Sequence, residues 1–251
     1  MIDKKTFVVS IAGGHGTGVY ELSLRIKDDL KVLFKKIKID IVNLDDLIID
    51  PEHRKYNDKD YAFEDIYEKL THCIVGKNIE KADTERGGED VKIIILCGSY
   101  ALYNIKINEI SKLKVYLDDD SDQRLINLIS MNGKKTADEQ NKAVTAENDK
   151  EMLSKLLHNY LEHLRPEMQK YIEPTKIHSD LIIPNQTGDE IGVAIIVDGI
   201  VKIIEKIKHD GIRYPVFNNK VLPEGSSPSP PLWDFEAEMM DVEKDRYYDL
   251  A

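Results

Sequence analysis

The sequence is poor in cysteine and contains neither a long apolar run nor an apolar signal region. Its 251 residues include two cysteines, Cys73 and Cys97. They are too few and too far apart for a disulfide scaffold, and they fit a reducing compartment. No run of 18 apolar residues occurs, and the first residues, Met-Ile-Asp-Lys-Lys, are mostly polar. We therefore expect no membrane partner and a cytoplasmic or nuclear location.

Positive charge is also scarce. The chain has 35 lysines and arginines against 46 aspartates and glutamates, which gives a net charge of −11. Such an acidic chain is poorly suited to bind nucleic acid or an anionic membrane, so neither partner is expected. The hydrophobic content of 41% is sufficient for one sizeable core.

Strand-like and helix-like stretches alternate between residues 6 and 207. Helical periodicity predicts helices at 19–36, 63–76, 100–110, 121–131, 152–171 and 191–207. Runs of β-branched residues predict strands at 6–12, 38–44, 91–96, 114–118 and 180–184. This order predicts an α/β fold in which helices cover both faces of a parallel sheet. Such folds bind ligands at the carboxyl ends of the strands.

A glycine-rich turn joins the first predicted strand to the first predicted helix. Gly13 and Gly18 have the spacing of a phosphate-binding P-loop, and the turn also contains Gly14, His15, Gly16 and Thr17. Backbone N–H groups of such a turn can hold a phosphate at the helix N-terminus. A P-loop continues with Lys and then Ser or Thr, but here Val19 and Tyr20 follow. The glycines are kept, and the side chains that act on phosphate and metal are lost.

Four features should lie at the carboxyl edge of the sheet: the glycine loop, Asp45, Cys97-Gly98 and Asp118. Asp45 could act as a base or could cap a turn together with Asp46, and the sequence leaves both open. The acidic run that starts at Asp118 is interpreted as a strand end and a helix start, not as a metal site. We interpret Cys97 as an inert buried thiol and His15 as a solvent-facing turn residue.

Two stretches lack the apolar pattern of the rest. Residues 132–150 have almost no large apolar side chains, which is typical of an exposed lid, a solvated helix or a disordered insertion. Residues 211–251 contain a Pro/Ser-rich linker and an acidic tail with Trp233 and Phe235. The chain is thus predicted to divide into a domain at 1–210 and a tail at 211–251. Such a tail can dock on a protein partner or only solubilise the chain.

Six separate motifs, in the same order, resemble those of the uridine–cytidine kinase family of P-loop nucleoside kinases. The resemblance covers about residues 6–207 and implies a P-loop NTPase-type fold with three layers. The motifs are the glycine loop at 13–20, Asn43-Leu-Asp-Asp46, Tyr56-Asn-Asp-Lys-Asp-Tyr-Ala-Phe-Glu64, Ile94-Ile-Leu-Cys-Gly-Ser-Tyr-Ala-Leu102, Leu117-Asp-Asp-Asp-Ser-Asp-Gln-Arg-Leu125, and Arg165-Pro through Glu173-Pro-Thr-Lys176 to Asp180-Leu-Ile-Ile-Pro184.

The departures from the family pattern fall on the chemistry of phosphoryl transfer. Val19 stands where the family has its phosphate-clamping lysine, Tyr20 stands where it has the hydroxyl that binds Mg²⁺, and Cys97 stands where it has a glutamate near the metal. The family's lid arginines are missing, and the cations considered in the lid in their place are Lys134 and Lys135. The segment that reads the pyrimidine is not recognisable between Gly76 and Val91, and the adenine-side Arg-Gly is replaced by Asn185-Gln186.

The resemblance implies two surviving site residues. Asp45 stands where the family has its catalytic base, and Asp58 stands where the family contacts the ribose. We predict a uridine-kinase-like protein that is catalytically impaired, a pseudokinase or a regulatory partner, with at most weak ATP binding and no Mg²⁺ held in the usual way. The alternative is an active uridine, cytidine or related small-molecule kinase of pyrimidine salvage that uses Asp45 as base. The resemblance also suggests a homo-oligomer or a hetero-oligomer with an active relative, and the 221–251 tail suggests a protein partner.

Overall fold

A computed structural model describes residues 6–75, 91–139, 146–184 and 190–211. The predicted tail at 211–251 lies outside the described residues except for its first residue. Three further stretches lie outside the described residues: the segment between Gly76 and Val91 that would read a pyrimidine, Asn185-Gln186, and the centre of the predicted lid. The predictions made for these segments, and the division into 1–210 and 211–251, stay predictions.

Five parallel strands form one sheet in the order β2-β3-β1-β4-β5. Strand β1, which carries the glycine loop at its end, is the central strand, as expected for an apolar strand buried on both faces. The parallel sheet predicted from the sequence is confirmed. The strands are β1 (Thr6–Gly13), β2 (Ile37–Asn43), β3 (Val91–Cys97), β4 (Ser111–Asp118) and β5 (Leu181–Pro184).

Helices connect the strands and cover both faces of the sheet. The main helices are α1 (Val19–Leu33), α2 (Phe63–Val75), α3 (Ile105–Ile110), α4 (Ser121–Glu139), α5 (Ala146–Asn159) and α7 (Glu190–Gly211). Between α5 and β5 the chain stays helical but changes pitch, with a π-helical turn at Tyr160–Leu164, the short α6 at Arg165–Glu167, a second π-helical turn at Met168–Ile172 and a 3₁₀ turn at Glu173–His178.

Alternate side chains of β1 enter two separate cores. Val9 and Ile11 pack on the face covered by α1 and α7, whereas Val8 and Ala12 pack on the face covered by α2, α3 and the helical turns after α5. A period of two along the strand gives this division. The three-layer α/β architecture is thus confirmed, and it brings the ends of β1, β2, β3 and β4 to one edge.

The predicted boundaries differ from the observed ones mainly at α4. This helix was expected to end at residue 131 but continues to Glu139, and α5 begins at Ala146. Both ends of the 132–150 stretch are therefore helical, which excludes a wholly disordered insertion. Among the described residues, none of the helices is apolar over a length that would cross a bilayer.

Candidate functional site

The glycine loop joins β1 to α1 with the backbone that its sequence predicts. Gly13 ends β1, and Gly18 is the residue before α1 with a φ of 73°. Gly16 also has a positive φ, 84°. The Thr17 hydroxyl and the Thr17 N–H donate to the Gly14 carbonyl at 2.8 and 3.1 Å. The strand–turn–helix prediction is confirmed, and the loop is closed by its own hydrogen bonds.

Of the three residues at the predicted phosphate and metal positions, two are buried and one is exposed. Val19 is buried, and a Cβ built on Gly13 would lie 2.8 Å from Val19 Cγ2, so this side chain packs back on the loop's first glycine. Cys97 is fully buried in the same core cluster as Val19. Tyr20 is 43% exposed. A triphosphate with Mg²⁺ requires a cation and oxygen ligands at these positions, and these side chains do not fit that requirement.

Helix α4 lies directly against the loop. The Asn127 amide donates to the Gly16 carbonyl at 2.9 Å. A Cβ built on Gly16 would lie 2.6 Å from the Arg124 carbonyl oxygen, and one on Gly14 would lie 2.6 Å from Arg124 Nη1 and 2.9 Å from the Met168 sulfur. The backbone contact and the positive φ require glycine at position 16, whereas the atoms nearest to Gly14 belong to the ends of flexible side chains. The loop is therefore covered by α4 on one side and by the Met168 turn on the other.

Arg124 is a buried cation beside the loop that the sequence reasoning missed. It is 8% exposed, and its Nε has no hydrogen-bond partner. In the part of the chain that the structure describes, none of the carboxylates forms an ion pair with it. In the sequence Arg124 stands out only as part of a motif, because nothing there indicates that its side chain turns towards Gly14.

Glu167 is the centre of a buried polar cluster over the same loop. Its side chain is 0% exposed and accepts three hydrogen bonds: from His15 Nε2 at 2.9 Å, from Arg54 Nη2 at 2.8 Å and from the Tyr100 hydroxyl at 3.0 Å. We call these four residues the Glu167 cluster. His15 Nδ1 also lies 3.2 Å from the Ser99 hydroxyl. An ionised carboxylate only accepts hydrogen bonds, so His15 Nε2 carries a proton here.

The interpretation of His15 as a solvent-facing turn residue is wrong. Its side chain is 12% exposed and is held between Glu167 and Ser99. No local pattern in the sequence indicates this contact, because Glu167 is 152 positions away along the chain. Arg54, Tyr100 and Glu167 were also missed, and Glu167 is notable only as a charged residue next to the Arg165-Pro motif.

The partners of Glu167 keep it ionised despite its burial. Burial alone would raise the pKa of this carboxyl, but the hydrogen bond and charge of His15, the charge of Arg54 and the Tyr100 hydroxyl outweigh it and hold the pKa below its ordinary value. A lowered folded-state pKa stabilises the fold above the unfolded value of about 4.3, and this stability is lost as pH falls through the folded value. Burial and Glu167 also raise the pKa of Tyr100.

The two predicted site carboxylates, Asp45 and Asp58, contact different parts of the structure. Asp45 is exposed after β2, and its Oδ1 accepts from the Ser99 N–H at 3.3 Å, which places it beside the end of β3. Its own N–H donates to Asn43, so the capping side chain is Asn43. Asp58 begins a 3₁₀ turn and lies beside Tyr103, whose pKa is raised by burial and by Asp58. The roles given to both carboxylates stay predictions.

A second unpartnered group adjoins the cluster at Tyr61. This residue is 4% exposed, its ring packs on Tyr100 with 4.7 Å between centroids, and its hydroxyl has no hydrogen-bond partner. Burial, with the negative charge of Asp45, raises its pKa.

Over the described residues, none of the His, Cys, Asp and Glu side chains are grouped in a set of three or more that could hold a metal ion.

The buried thiol at the end of β3 is expected to be unreactive in the native protein. Burial raises the pKa of Cys97 to about 11, so little thiolate forms near neutral pH. With iodoacetamide at pH 8, Cys97 should label at least about tenfold more slowly than the half-buried Cys73. Peptide mass spectrometry after a time course measures both rates, and labelling in denaturant is the control. Fast native labelling of Cys97 would show that this strand end opens.

Comparisons with known proteins give related sequences and a related fold. The chain is 45% identical over 255 residues to a Saccharomyces cerevisiae protein named "Putative uridine kinase DAS2", an alignment that covers 100% of this chain and 98% of that protein. It is 25% identical over 216 residues to a uridine kinase of Macrococcus caseolyticus, covering 80% of this chain and 98% of the relative. No family model matches the chain.

Among solved structures, the chain resembles a "putative fructose transport system kinase" from Silicibacter sp. TM1040. The TM-score is 0.50 at 16% identity, with 72% of this chain and 90% of that chain covered. At this level of identity the likeness concerns the fold only, and it agrees with the α/β fold described above.

Proposed function

This chain belongs to the uridine kinase-like family, and we propose that it is a member in which phosphoryl transfer at the glycine loop is impaired. In this proposal the protein is a pseudokinase or a regulatory partner with at most weak nucleotide binding. The family is shown by the 45% identical relative, and the P-loop kinase fold is shown by the structure and its solved neighbour.

One observation carries the proposal: two of the three positions that would act on phosphate and metal, Val19 and Cys97, are part of the core. Val19 packs against Gly13, and Cys97 is buried in the same cluster. Catalysis of phosphoryl transfer depends on positioning and on stabilising negative charge, and removing one such stabiliser costs about 10²–10³ in rate. Losing a lysine, a metal hydroxyl and a metal carboxylate together leaves little from which to rebuild ordinary turnover, although such losses do not simply add.

Weak nucleotide binding remains part of the proposal because the backbone of the loop keeps its shape. N–H groups at a helix N-terminus can hold a phosphate without a lysine. We further propose that the protein acts through assembly, as a homo-oligomer, as a hetero-oligomer with an active relative, or through a partner bound by the 221–251 tail. The supports for assembly are the family resemblance and the composition of the tail.

A true nucleoside kinase of pyrimidine salvage is the second candidate, and the position of Asp45 favours it. This carboxylate is exposed at the carboxyl edge of the sheet, next to the end of β3. A base needs to reach the hydroxyl it activates, and an exposed strand-end carboxylate is placed for that. A lysine from elsewhere, such as Lys134 or Lys135, would then have to supply the clamp.

Thermal unfolding with ligands distinguishes the two candidates. A ligand at 100 times its Kd adds about 2.7 kcal/mol of stability, a rise in Tm of roughly 5–10 °C for a domain of this size. We expect no Mg²⁺-dependent shift with ATP, and no phosphorylation of uridine or cytidine in a coupled assay. A small ATP shift without Mg²⁺ dependence would fit a bare glycine cradle.

The double variant Val19→Lys/Tyr20→Ser tests whether the lost side chains silenced the loop. It should gain an ATP shift that the matched single variant Tyr20→Ser lacks, because only the lysine adds a cation for the terminal phosphates. A Mg²⁺-dependent ATP shift together with uridine phosphorylation by the unaltered protein would overturn the proposed impairment.

A further inference from the structure

The Glu167 cluster has the composition of an anion-binding site whose anion is part of the chain. Donors from three separate segments converge on one carboxylate: His15 from the glycine loop, Arg54 from the connection after β2, and Tyr100 from the turn after β3. Both carboxylate oxygens are used, Oε2 by His15 and Oε1 by Arg54 and Tyr100. Charged and neutral donors in this arrangement are what a buried oxyanion requires.

The helical turns around Glu167 direct it inward. Its neighbours Pro166 and Gln169 are exposed, whereas Glu167 and Met168 are both buried against the loop. α6 is only three residues long and lies between two π-helical turns. A π turn contains an extra residue, so it changes which side chains face the protein, and such turns are frequent at functional sites.

The carboxylate already bonds the donors that an oxyanion beside the loop would use. His15 belongs to the loop itself, and the Met168 sulfur closely approaches Gly14. An oxyanion that approached His15 and Arg54 would meet a negative charge already bonded to both. The buried guanidinium of Arg124 beside Gly14, without a carboxylate partner among the described residues, adds positive charge to the same place.

We propose that Glu167 is a built-in ligand: its carboxylate fills an oxyanion site formed by His15, Arg54 and Tyr100, and an external carboxylate or phosphate binds there only when Glu167 is removed or withdrawn. This inference deepens the proposed function and rests on it, since it describes what regulates access to the same loop. The ligand class is a small oxyanion, and formate, acetate and inorganic phosphate are the probes.

Chemical rescue of Glu167→Ala tests the proposal. This variant of the full chain should have a lower Tm than the unaltered protein, because Arg54 loses its counter-charge and the His15 and Tyr100 donors lose their acceptor. Formate at 100 mM should raise its Tm by roughly 3–5 °C if the Kd for formate is about one tenth of that concentration. Sodium chloride at equal ionic strength should not, and the unaltered protein should respond to neither.

The matched control is Glu162→Ala, a carboxylate deletion at an exposed position of the preceding turn. It should neither lose Tm nor respond to formate. If formate fails to stabilise folded Glu167→Ala beyond the chloride control, the oxyanion site does not exist as proposed.

A second variant keeps the test decisive if Glu167→Ala does not fold. Glu167→Ser removes the charge and shortens the side chain, so the space between the donors is left open while a hydroxyl remains. A like charge a few ångströms away costs an anion more than tenfold in affinity at a protein surface, so phosphate titrated calorimetrically should bind Glu167→Ser at least about tenfold more tightly than it binds the unaltered protein. Equal phosphate affinities would contradict the proposal.

The two proposals can fail separately. Uridine phosphorylation by the unaltered protein would end the proposed impairment and would leave the formate result unchanged. Formate-insensitive Glu167→Ala would end the built-in ligand and would leave the loss of the P-loop side chains as the explanation for inactivity.

Discussion

Replacing Arg54 with methionine is expected to lower the free energy of unfolding by about 3 kcal/mol. Methionine keeps an unbranched apolar stem and lacks the guanidinium, so the main change is the lost charge with its hydrogen bond. Glu167 then keeps only His15 and Tyr100, and the buried Asp60, whose carboxylate lies 3.8 Å from Arg54 Nε, loses its nearby cation. Leaving a buried charge without its partner is costly, whereas removing both partners is much less so.

Urea unfolding of a double-mutant cycle measures this coupling. The variants are Arg54→Met, Glu167→Gln and the pair together, and the double variant should recover at least about 1 kcal/mol relative to the sum of the single changes. Arg165→Met is the matched control, because Arg165 is exposed on α6 and should cost no more than about 0.5 kcal/mol. Equal costs for Arg54→Met and Arg165→Met would show that the cluster contributes nothing to stability.

Replacing Gly16 with alanine should cost about 3 kcal/mol. The left-handed conformation of Gly16 costs a residue with a Cβ about 1–2 kcal/mol. The added Cβ would also lie 2.6 Å from the Arg124 carbonyl, so the start of α4 must move and the Asn127 hydrogen bond to the loop is strained. For a domain of this size, Tm should fall by roughly 6–12 °C.

Gly18→Ala separates the two causes. Gly18 also has a positive φ, but the nearest atom to its built Cβ is a carboxylate oxygen of Glu21 at 3.7 Å, an ordinary contact. Only the conformational cost of about 1–2 kcal/mol should appear. Similar Tm values for Gly16→Ala and Gly18→Ala would mean that α4 does not press on the loop.

The fold could be predicted from the sequence because its strands are buried on both faces. Continuous β-branched runs such as Val91 to Leu96 leave little alternative to a central parallel strand, and the glycine spacing at 13–18 fixes the turn that follows β1. These signals are local, so reading along the chain was enough. The end of α4 was missed because residues 132–139 carry a helix without the apolar stripe by which a buried helix is recognised.

The candidate site was predictable only where one stretch of chain builds it. The glycine loop, and the presence of Val19 and Tyr20 where a P-loop has Lys and Ser or Thr, were visible in the sequence. The Glu167 cluster was not, because its three hydrogen bonds join residues that are 152, 113 and 67 positions apart. Charged residues on loops are usually solvated, and only the folded chain shows which of them is enclosed.

The arrangement of donors around Glu167 also bears on the cooperativity of the fold. One carboxylate connects the loop after β1, the connection after β2, the turn after β3 and the helical turns before β5 in one hydrogen-bonded cluster. Closing loops of this length is entropically costly, so these hydrogen bonds give a net stabilisation only when most of the sheet has already formed. The four segments therefore gain or lose their order together, and the Glu167 contacts make the glycine loop part of the globally cooperative unit instead of a locally opening one.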